Sequence, residues 1–386
     1  MDFELTDEQR MFRAAVRDFA NQELAPYAAE VDEKQELRWE AVAQMPALGL
    51  TGLQVPEQYG GAGMDSITAA IALEEISRAC GSTGLAVAAH NGLCCAPIVR
   101  WGTDAQKQAY LPRLTSGEVL GSLALTEPDA GSDLAGGVRT TAVKEGDSWI
   151  IDGSKTWITN ATSAPVVVTL VRTDPHAEKA SHGLSLILVE ADTEGFTVEP
   201  PIPKFGVRGS HSCPLVYDAV RVPLENLLGE EGEGLQQTLE TLDGGRVGIA
   251  AVSVGLAQAA LDAVLKYAVQ RHAFGRTLAQ HQAVQFKIAD MAARIEAARL
   301  LTYHAAWKKD RGDADFSKFA AIAKLTASET AEFAAFEAIQ IHGGYGYSTE
   351  FPVERIYRDQ RLMSIGEGAN EILRMVIARR TIPSFS

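Results

Sequence analysis

No Walker-type phosphate loop, no HExxH, no GxSxG and no strand-linked GxGxxG occurs in the 386-residue chain. That excludes a P-loop nucleotide hydrolase, a zincin, a nucleophile-elbow hydrolase and a Rossmann dinucleotide crevice. Cysteine is scarce: Cys80, Cys94, Cys95 and Cys213, with no CxxC pair and no zinc-like spacing. Adjacent Cys94 and Cys95 cannot form a relaxed disulfide, so four buried, reduced thiols in a cytoplasmic protein are expected. The eight histidines show no ligand-like clustering, and no metal site is expected. Basic charge is also in deficit: 35 Lys and Arg against 50 Asp and Glu leave a net charge of −15. Such a field repels nucleic acid and anionic membrane surfaces, although a local basic pocket can still take an anionic ligand. The acidic opening Met1-Asp2-Phe3-Glu4 has neither the form of a signal peptide nor that of a basic transit sequence. The longest apolar run, Val247 to Ala257, is broken by Gln258 and Asp262, so no membrane span is expected.

What is present is a sizeable core, with 46% hydrophobic and 22% charged residues. Three textures follow one another. In the first, Thr6 with Gln9 forms a capping-box signal, Asp7 and Glu8 suit a helix N-terminus, and Met11, Phe12, Val16 and Phe19 recur at helical spacing. A glycine-rich loop at Tyr59–Gly63 precedes Ala- and Leu-rich helical stretches to about residue 115. Near residue 120 the chain changes, and eight of its 15 prolines fall between Pro128 and Pro223. Here Trp149-Ile150-Ile151, Val166–Val171 and Leu186–Val189 read as strands, and Asp152-Gly153 as a tight turn. From Pro223 to Pro352 no proline interrupts long helical periodicity, including a face with Val264, Tyr267, Ala268 and Arg271. The expected fold is mainly α with a central β domain: helical over 1–119, a β-barrel or sandwich over 120–230, a helical bundle over 231–386.

Several glycine-flanked polar clusters carry the functional signal. Thr126-Glu127-Pro128 and Ala130-Gly131-Ser132-Asp133 leave backbone N–H groups and hydroxyls free for phosphate or a heterocycle, though an ordinary turn has the same composition. Lys155-Thr156-Trp157-Ile158-Thr159-Asn160 sets an aromatic plane beside two hydroxyls, although a strand-edge Trp is more often core. Gly244 and Gly245, between Asp243 and Arg246, weaken a helix by up to about 1 kcal/mol each, which points to close approach of another group. Gln340 leads into Gly343-Gly344-Tyr345-Gly346-Tyr347, and Glu367 stands between Gly366 and Gly368, just before a helix.

In this order and spacing the clusters resemble the acyl-CoA dehydrogenase family, most closely its short-chain and bacterial members, along nearly the whole chain. The resemblance also takes in Arg271 with Phe274-Gly275, Gln282, and Arg358-Asp359. It implies an N-terminal helical domain, a middle β-barrel and a C-terminal four-helix bundle. It implies non-covalent FAD, an acyl-CoA substrate, an electron-transferring flavoprotein as acceptor and a homotetramer, without nucleic acid or membrane. Glu367 occupies the position of the family's base, which takes the α-proton while hydride leaves the β-carbon for flavin N5, yielding a trans-2-enoyl-CoA. Thr126, Ser132, Trp157, Ile158 and Thr159 match residues at the isoalloxazine and its phosphates. Arg271, Phe274, Gln282, Gln340, Gly343 and Gly344 match residues gripping FAD across a subunit boundary. Asp243, Arg246, Gly368 and again Ser132 match the substrate side.

Two departures stand out. Ala369-Asn370 replaces a frequent Thr-Ser on the flavin side, and Gly366 stands where straight-chain enzymes often carry Tyr, which suggests room for a branched acyl group. Some members place the base immediately before the position of Arg246, where this chain has Gly245, leaving Glu367 as the candidate. A flavin-retaining, nucleic-acid-binding relative would need a basic surface that a charge of −15 does not supply. Acyl-CoA oxidases remain a near alternative, whereas nitroalkane oxidases carry Asp at the position of Glu367.

Overall fold

The computed structural model describes residues 4–383, so the opening residues Met1 to Phe3 lie outside the described residues. Helix α1 (Asp7–Phe19) starts on the expected capping box, with Thr6 Oγ1 accepting from the Gln9 N–H at 3.1 Å and the Gln9 side chain returning the bond. Val16 and Phe12 turn into a core made with α2 (Ser66–Ala79) and α3 (Gly81–Ala89), while Met11 faces solvent. Helix α4 (Asp104–Thr115) closes this region on a second capping box, Thr103 with Gln106.

The strands follow: β1 (Ser122–Ala124), β2 (Thr141–Glu145), β3 (Ser148–Thr159), β4 (Val166–Arg172), β5 (Leu184–Glu190), β6 (Phe196–Val198), β7 (Ser212–Pro223) and β8 (Leu227–Leu228). They form one sheet in the order β6-β7-β3-β2-β4-β5-β8, with β1 parallel to β4. Residues from β1 to β7 share one apolar interior, including Trp149, Ile158, Val167, Ile187, Phe196 and Cys213, as a barrel requires, although no pairing joins β6 to β8. The tight turn expected at Asp152-Gly153 is instead an irregularity inside β3. Asp152 Oδ1 accepts the Ala219 N–H at 2.9 Å, so its short side chain completes the ladder where β7 is kinked rather than reversing the chain. The actual turn, between β2 and β3, uses Gly146 at φ +64.

Helices α5 (Gly234–Gln270), α6 (Gln282–Asp310) and α7 (Phe316–His342) pack side by side, followed by the short α8 (Val353–Gln360) and α9 (Asn370–Thr381). The seam is alanine-rich, with Ala250, Ala257 and Ala260 of α5 in one cluster with Ala320, Ala327, Ala334 and Ala338 of α7. Helix α5 is apolar nearly all round because its other face, Ile249, Val252 and Leu256, belongs to the N-terminal core. The buried side of α5 therefore continues past Gln258, through Ala260, Leu261 and Val264. The segments Gly81–Trp101 and Gly234–Gln270 are long and apolar enough to cross a membrane, but 72% of each apolar window is buried within the protein. All four cysteines are buried and free, as expected.

Candidate active site

After α8 a 3-10 turn, Arg361–Ser364, leads to a segment with two consecutive left-handed residues, Glu367 at φ +53 and Gly368 at φ +102. A left-handed non-glycine residue costs roughly 1–2 kcal/mol and persists only where its surroundings hold it. Glu367 is half-buried as a residue, but its Oε2 is enclosed and has no hydrogen-bond partner. The carboxylate lies against the backbone of α5 at Gly245, where an added β-carbon would stand 3.2 Å from Glu367 Cδ and overlap Oε2. Gly245 thus serves the close approach that its place in a helix suggested. Burial pushes the Glu367 carboxyl up to about 7, opposed by the charges of Lys324 and Arg246.

Arg246 is buried and pairs with Asp243 one turn earlier on α5. Its Nε has no partner, and it passes 3.8 Å from where a β-carbon at Gly368 would lie. Lys324, on α7, has no exposed surface, and its Nζ donates to the Gly368 carbonyl at 2.8 Å and to Asn370 Oδ1 at 3.2 Å. Asn370 is completed by Ser328, and burial lowers the Lys324 ammonium to about 8.

Gly245 also walls a cavity of about 240 Å³ enclosed by Leu73, Ala88, Val99, Trp101 and Val247. Its polar lining includes Gln54, Ser66, Asn91, Thr241, Lys309 and the Arg100–Glu240 ion pair. Lys309 Nζ donates to Gln54 Oε1 at 2.8 Å, and burial pushes its ammonium below the usual lysine range.

The two motif loops of the β region meet. The Thr156 N–H donates to the Thr126 carbonyl at 2.8 Å, and Ser122 bonds the Thr159 carbonyl. Beneath them lies a buried ion pair, Lys155 Nζ to Glu127 Oε1 at 2.8 Å, with Lys155 also donating to the Leu125 carbonyl and Glu127 accepting the Arg139 and Thr140 N–H groups. Trp157, at φ +63, holds its indole 55% exposed over this junction. At the end of the bundle a second, open cavity of about 570 Å³ is lined by Arg271, Gly343, Gly344 and Tyr345. Phe274 is 98% exposed on the short hairpin beside it, and Gln282 and Gln340 are exposed as well.

Three family models cover nearly all of the chain: acyl-CoA dehydrogenase N-terminal domain over 6–118, middle domain over 122–220 and C-terminal domain over 232–382. The chain belongs to the acyl-CoA dehydrogenase family. It is 50% identical over 382 residues to a probable acyl-CoA dehydrogenase, YngJ, of Bacillus subtilis (strain 168), covering 99% of this chain and 100% of that one. The structure of butyryl-CoA dehydrogenase from Megasphaera elsdenii superposes with a TM-score of 0.94 at 42% identity, over 98% of this chain and 99% of that one. A chain from a structure of the electron transferring flavoprotein of Acidaminococcus fermentans gives 0.96 at 41% identity, over 99% and 100%.

Membership makes the protein an oxidoreductase for flavin-dependent dehydrogenation of acyl-CoA. Within this acyl-CoA dehydrogenase the fold gathers the sequence-predicted residues into three places. Glu367, Gly368, Asp243 and Arg246 meet at α5; the loop of Thr126 is bonded to the strand that carries Trp157 and Thr159 through Thr156; Arg271, Gly343 and Gly344 share the open cavity. Ser132 is exposed on the loop beyond Thr126. Ile158 sends its side chain into the barrel interior, leaving only backbone toward a cofactor, and Asn370 turns its amide inward to Lys324 and Ser328. The exposed indole, its left-handed backbone and the glycine-walled cavity suit a stacked heterocycle bearing phosphates. Lys324 and Lys309 were not singled out from the sequence, and Lys155 stood in the cluster with Trp157 without a role of its own. The available signal was a lysine at a buried position of an alanine-rich helical face, as Lys324 is between Ala320 and Ala327.

Proposed function

We propose that this acyl-CoA dehydrogenase converts short- or branched-chain acyl-CoA to trans-2-enoyl-CoA, with Glu367 removing the α-proton and FAD bound non-covalently. The observation that carries the proposal is the Glu367 carboxylate, enclosed, unpartnered at Oε2 and set against Gly245, which lines a small, largely apolar cavity. A thioester α-proton is weakly acidic, so the base needs a desolvated carboxylate that still ionises near neutrality. A value near 7 meets that need. Bound FAD supplies the acceptor for the hydride that leaves the β-carbon. Thr126, Ser132, Thr159 and the Trp157 indole are assigned to the flavin and its phosphates. Arg271, Phe274, Gln282, Gln340, Gly343 and Gly344 are assigned to FAD of a neighbouring subunit in a homotetramer, which accounts for a fully exposed Phe274. Asp243 and Arg246 orient the thioester end.

The cavity supports a short acyl chain, because the buried ammonium of Lys309 penalises any alkyl tail pushed against it. The branched part of the proposal rests on Gly366, which lies outside this cavity's lining and whose added side chain would meet Leu362. Butyryl-CoA oxidised a hundredfold more efficiently than every branched thioester would remove that part. The likeness to a chain from an electron transferring flavoprotein structure supports such a flavoprotein as acceptor. The deciding experiment is anaerobic addition of acyl-CoAs while the flavin absorbance is followed. Wild type bleaches with short chains, whereas Glu367→Gln keeps its flavin and does not bleach; full-speed reduction by that variant would end the assignment.

A further inference from the structure

We propose that Lys324 is a positioning residue for Glu367, its buried ammonium tethering the Gly368 carbonyl and Asn370 so that the left-handed Glu367–Gly368 pair presents the carboxylate at Gly245. This rests on the reading of Glu367 as the base. The geometry is specific. Lys324 lies on α7, across the segment from α5, and its two hydrogen bonds at 2.8 and 3.2 Å go to the two residues that bracket Ala369. Glu367 and Gly368 are held at φ +53 and +102, so the Gly368 carbonyl is turned from the helical direction and needs a donor inside the protein. Among the described residues no carboxylate lies within ion-pair distance of Lys324, although it is fully buried. A buried ammonium with no carboxylate beside it is costly, and Lys324 offsets that cost by satisfying the Gly368 carbonyl and Asn370 Oδ1.

The charge has a second effect. The groups acting on the Glu367 carboxylate are Lys324 from α7 and Arg246 from α5, and Arg246 is already paired with Asp243. Lys324 itself feels Glu367, Arg246 and, from α9, Glu371. Lys324 is therefore the cation without a competing close carboxylate that favours the ionised form of the base, while burial favours the neutral form. One side chain sets both the direction of the carboxylate and the pH at which it works.

Two variants separate these effects. Lys324→Met removes the donor and the charge; Lys324→Gln keeps a donor and removes the charge. Both are purified with flavin, and kcat, KM and the pH profile of kcat/KM are measured with butyryl-CoA. For Lys324→Met, kcat falls on the order of a hundredfold from the lost orientation. KM stays within about threefold of wild type because the acyl cavity is untouched. The acid limb of the profile moves to higher pH. Lys324→Gln recovers at least tenfold of the lost kcat yet keeps the displaced limb. Flavin-loaded variants with wild-type kcat and an unmoved acid limb would overturn the proposal, even if their melting temperatures fell. Should Lys324→Met fail to accumulate, Lys324→Gln decides by its limb alone. A Glu367→Gln variant reduced at full speed would instead count against Glu367 as the base, and with it the reading on which this rests.

Discussion

The carboxylate of Glu367 and the backbone of Gly245 occupy contiguous space, so that no β-carbon at 245 is compatible with the carboxylate where it stands. Gly245→Ala is expected to leave the fold intact, because the close contacts are with the ends of two side chains, Glu367 and Leu93, while driving the carboxylate about 1 Å aside. A displacement of that size costs on the order of a hundredfold in rate. Steady-state kinetics with butyryl-CoA at unchanged flavin content tests this, and an undiminished kcat would refute it.

Activity should follow the ionisation of Glu367. With the carboxyl pushed up to about 7, kcat/KM in the free enzyme is expected to rise with pH through a midpoint near 7 and then level off. A profile already flat at pH 5.5 would contradict the desolvated site.

The same burial has a stability consequence of defined sign. A carboxyl raised from 4.5 to about 7 on folding contributes stability below 4.5 and loses it as pH climbs through 7. Glu367→Gln is always neutral and should be more stable than wild type at pH 8, by up to about 3 kcal/mol, but not at pH 4.5. Lys324, already lowered to about 8, loses a neighbouring anion in this variant, which trims the gain. Urea denaturation at the two pH values measures it.

Lys155 and Glu127 form a buried pair under the loops of Thr126 and Trp157. Lys155→Met strands a buried carboxylate and should cost about 3–5 kcal/mol. Flavin retention should fall with it, since both loops lose their anchor; a variant with normal stability and flavin content would show the pair to be dispensable.

Lys309 is expected to set acyl length. Lys309→Met replaces an ammonium with an apolar end of similar size, and the kcat/KM ratio of octanoyl-CoA to butyryl-CoA should rise tenfold or more. An unchanged ratio would mean that the tail never reaches Lys309.

Phe274, 98% exposed, should be covered by a second copy of the chain. Phe274→Asp is expected to lower the mass seen by analytical ultracentrifugation and to weaken flavin retention together. A wild-type monomer that holds flavin would refute the shared site.

Much of this protein follows from local chemistry written along the chain. The Thr6–Gln9 box, the proline-free span after Pro223 and the β-branched runs at Val166 and Leu186 predicted helices and strands where they stand, because capping and side-chain periodicity act over a few residues. Gly245 was legible as a site of close approach, since glycine in a helix is otherwise a loss. Other features depend on partners distant in sequence. Asp152-Gly153 has a turn's composition but meets Ala219 across the sheet, which makes it a bulge. Nothing near Asn370 in the sequence shows that Lys324, 46 positions away, donates to its amide oxygen. Lys309 and Gln54, 255 positions apart, carry no mark of a shared cavity until α6 is laid against the N-terminal region. Periodicity and motif spacing thus determined the elements and the family of chemistry. Only packing, which sets dielectric and distance between remote side chains, decided the neighbours of Glu367 and with them the ionisation of its carboxyl.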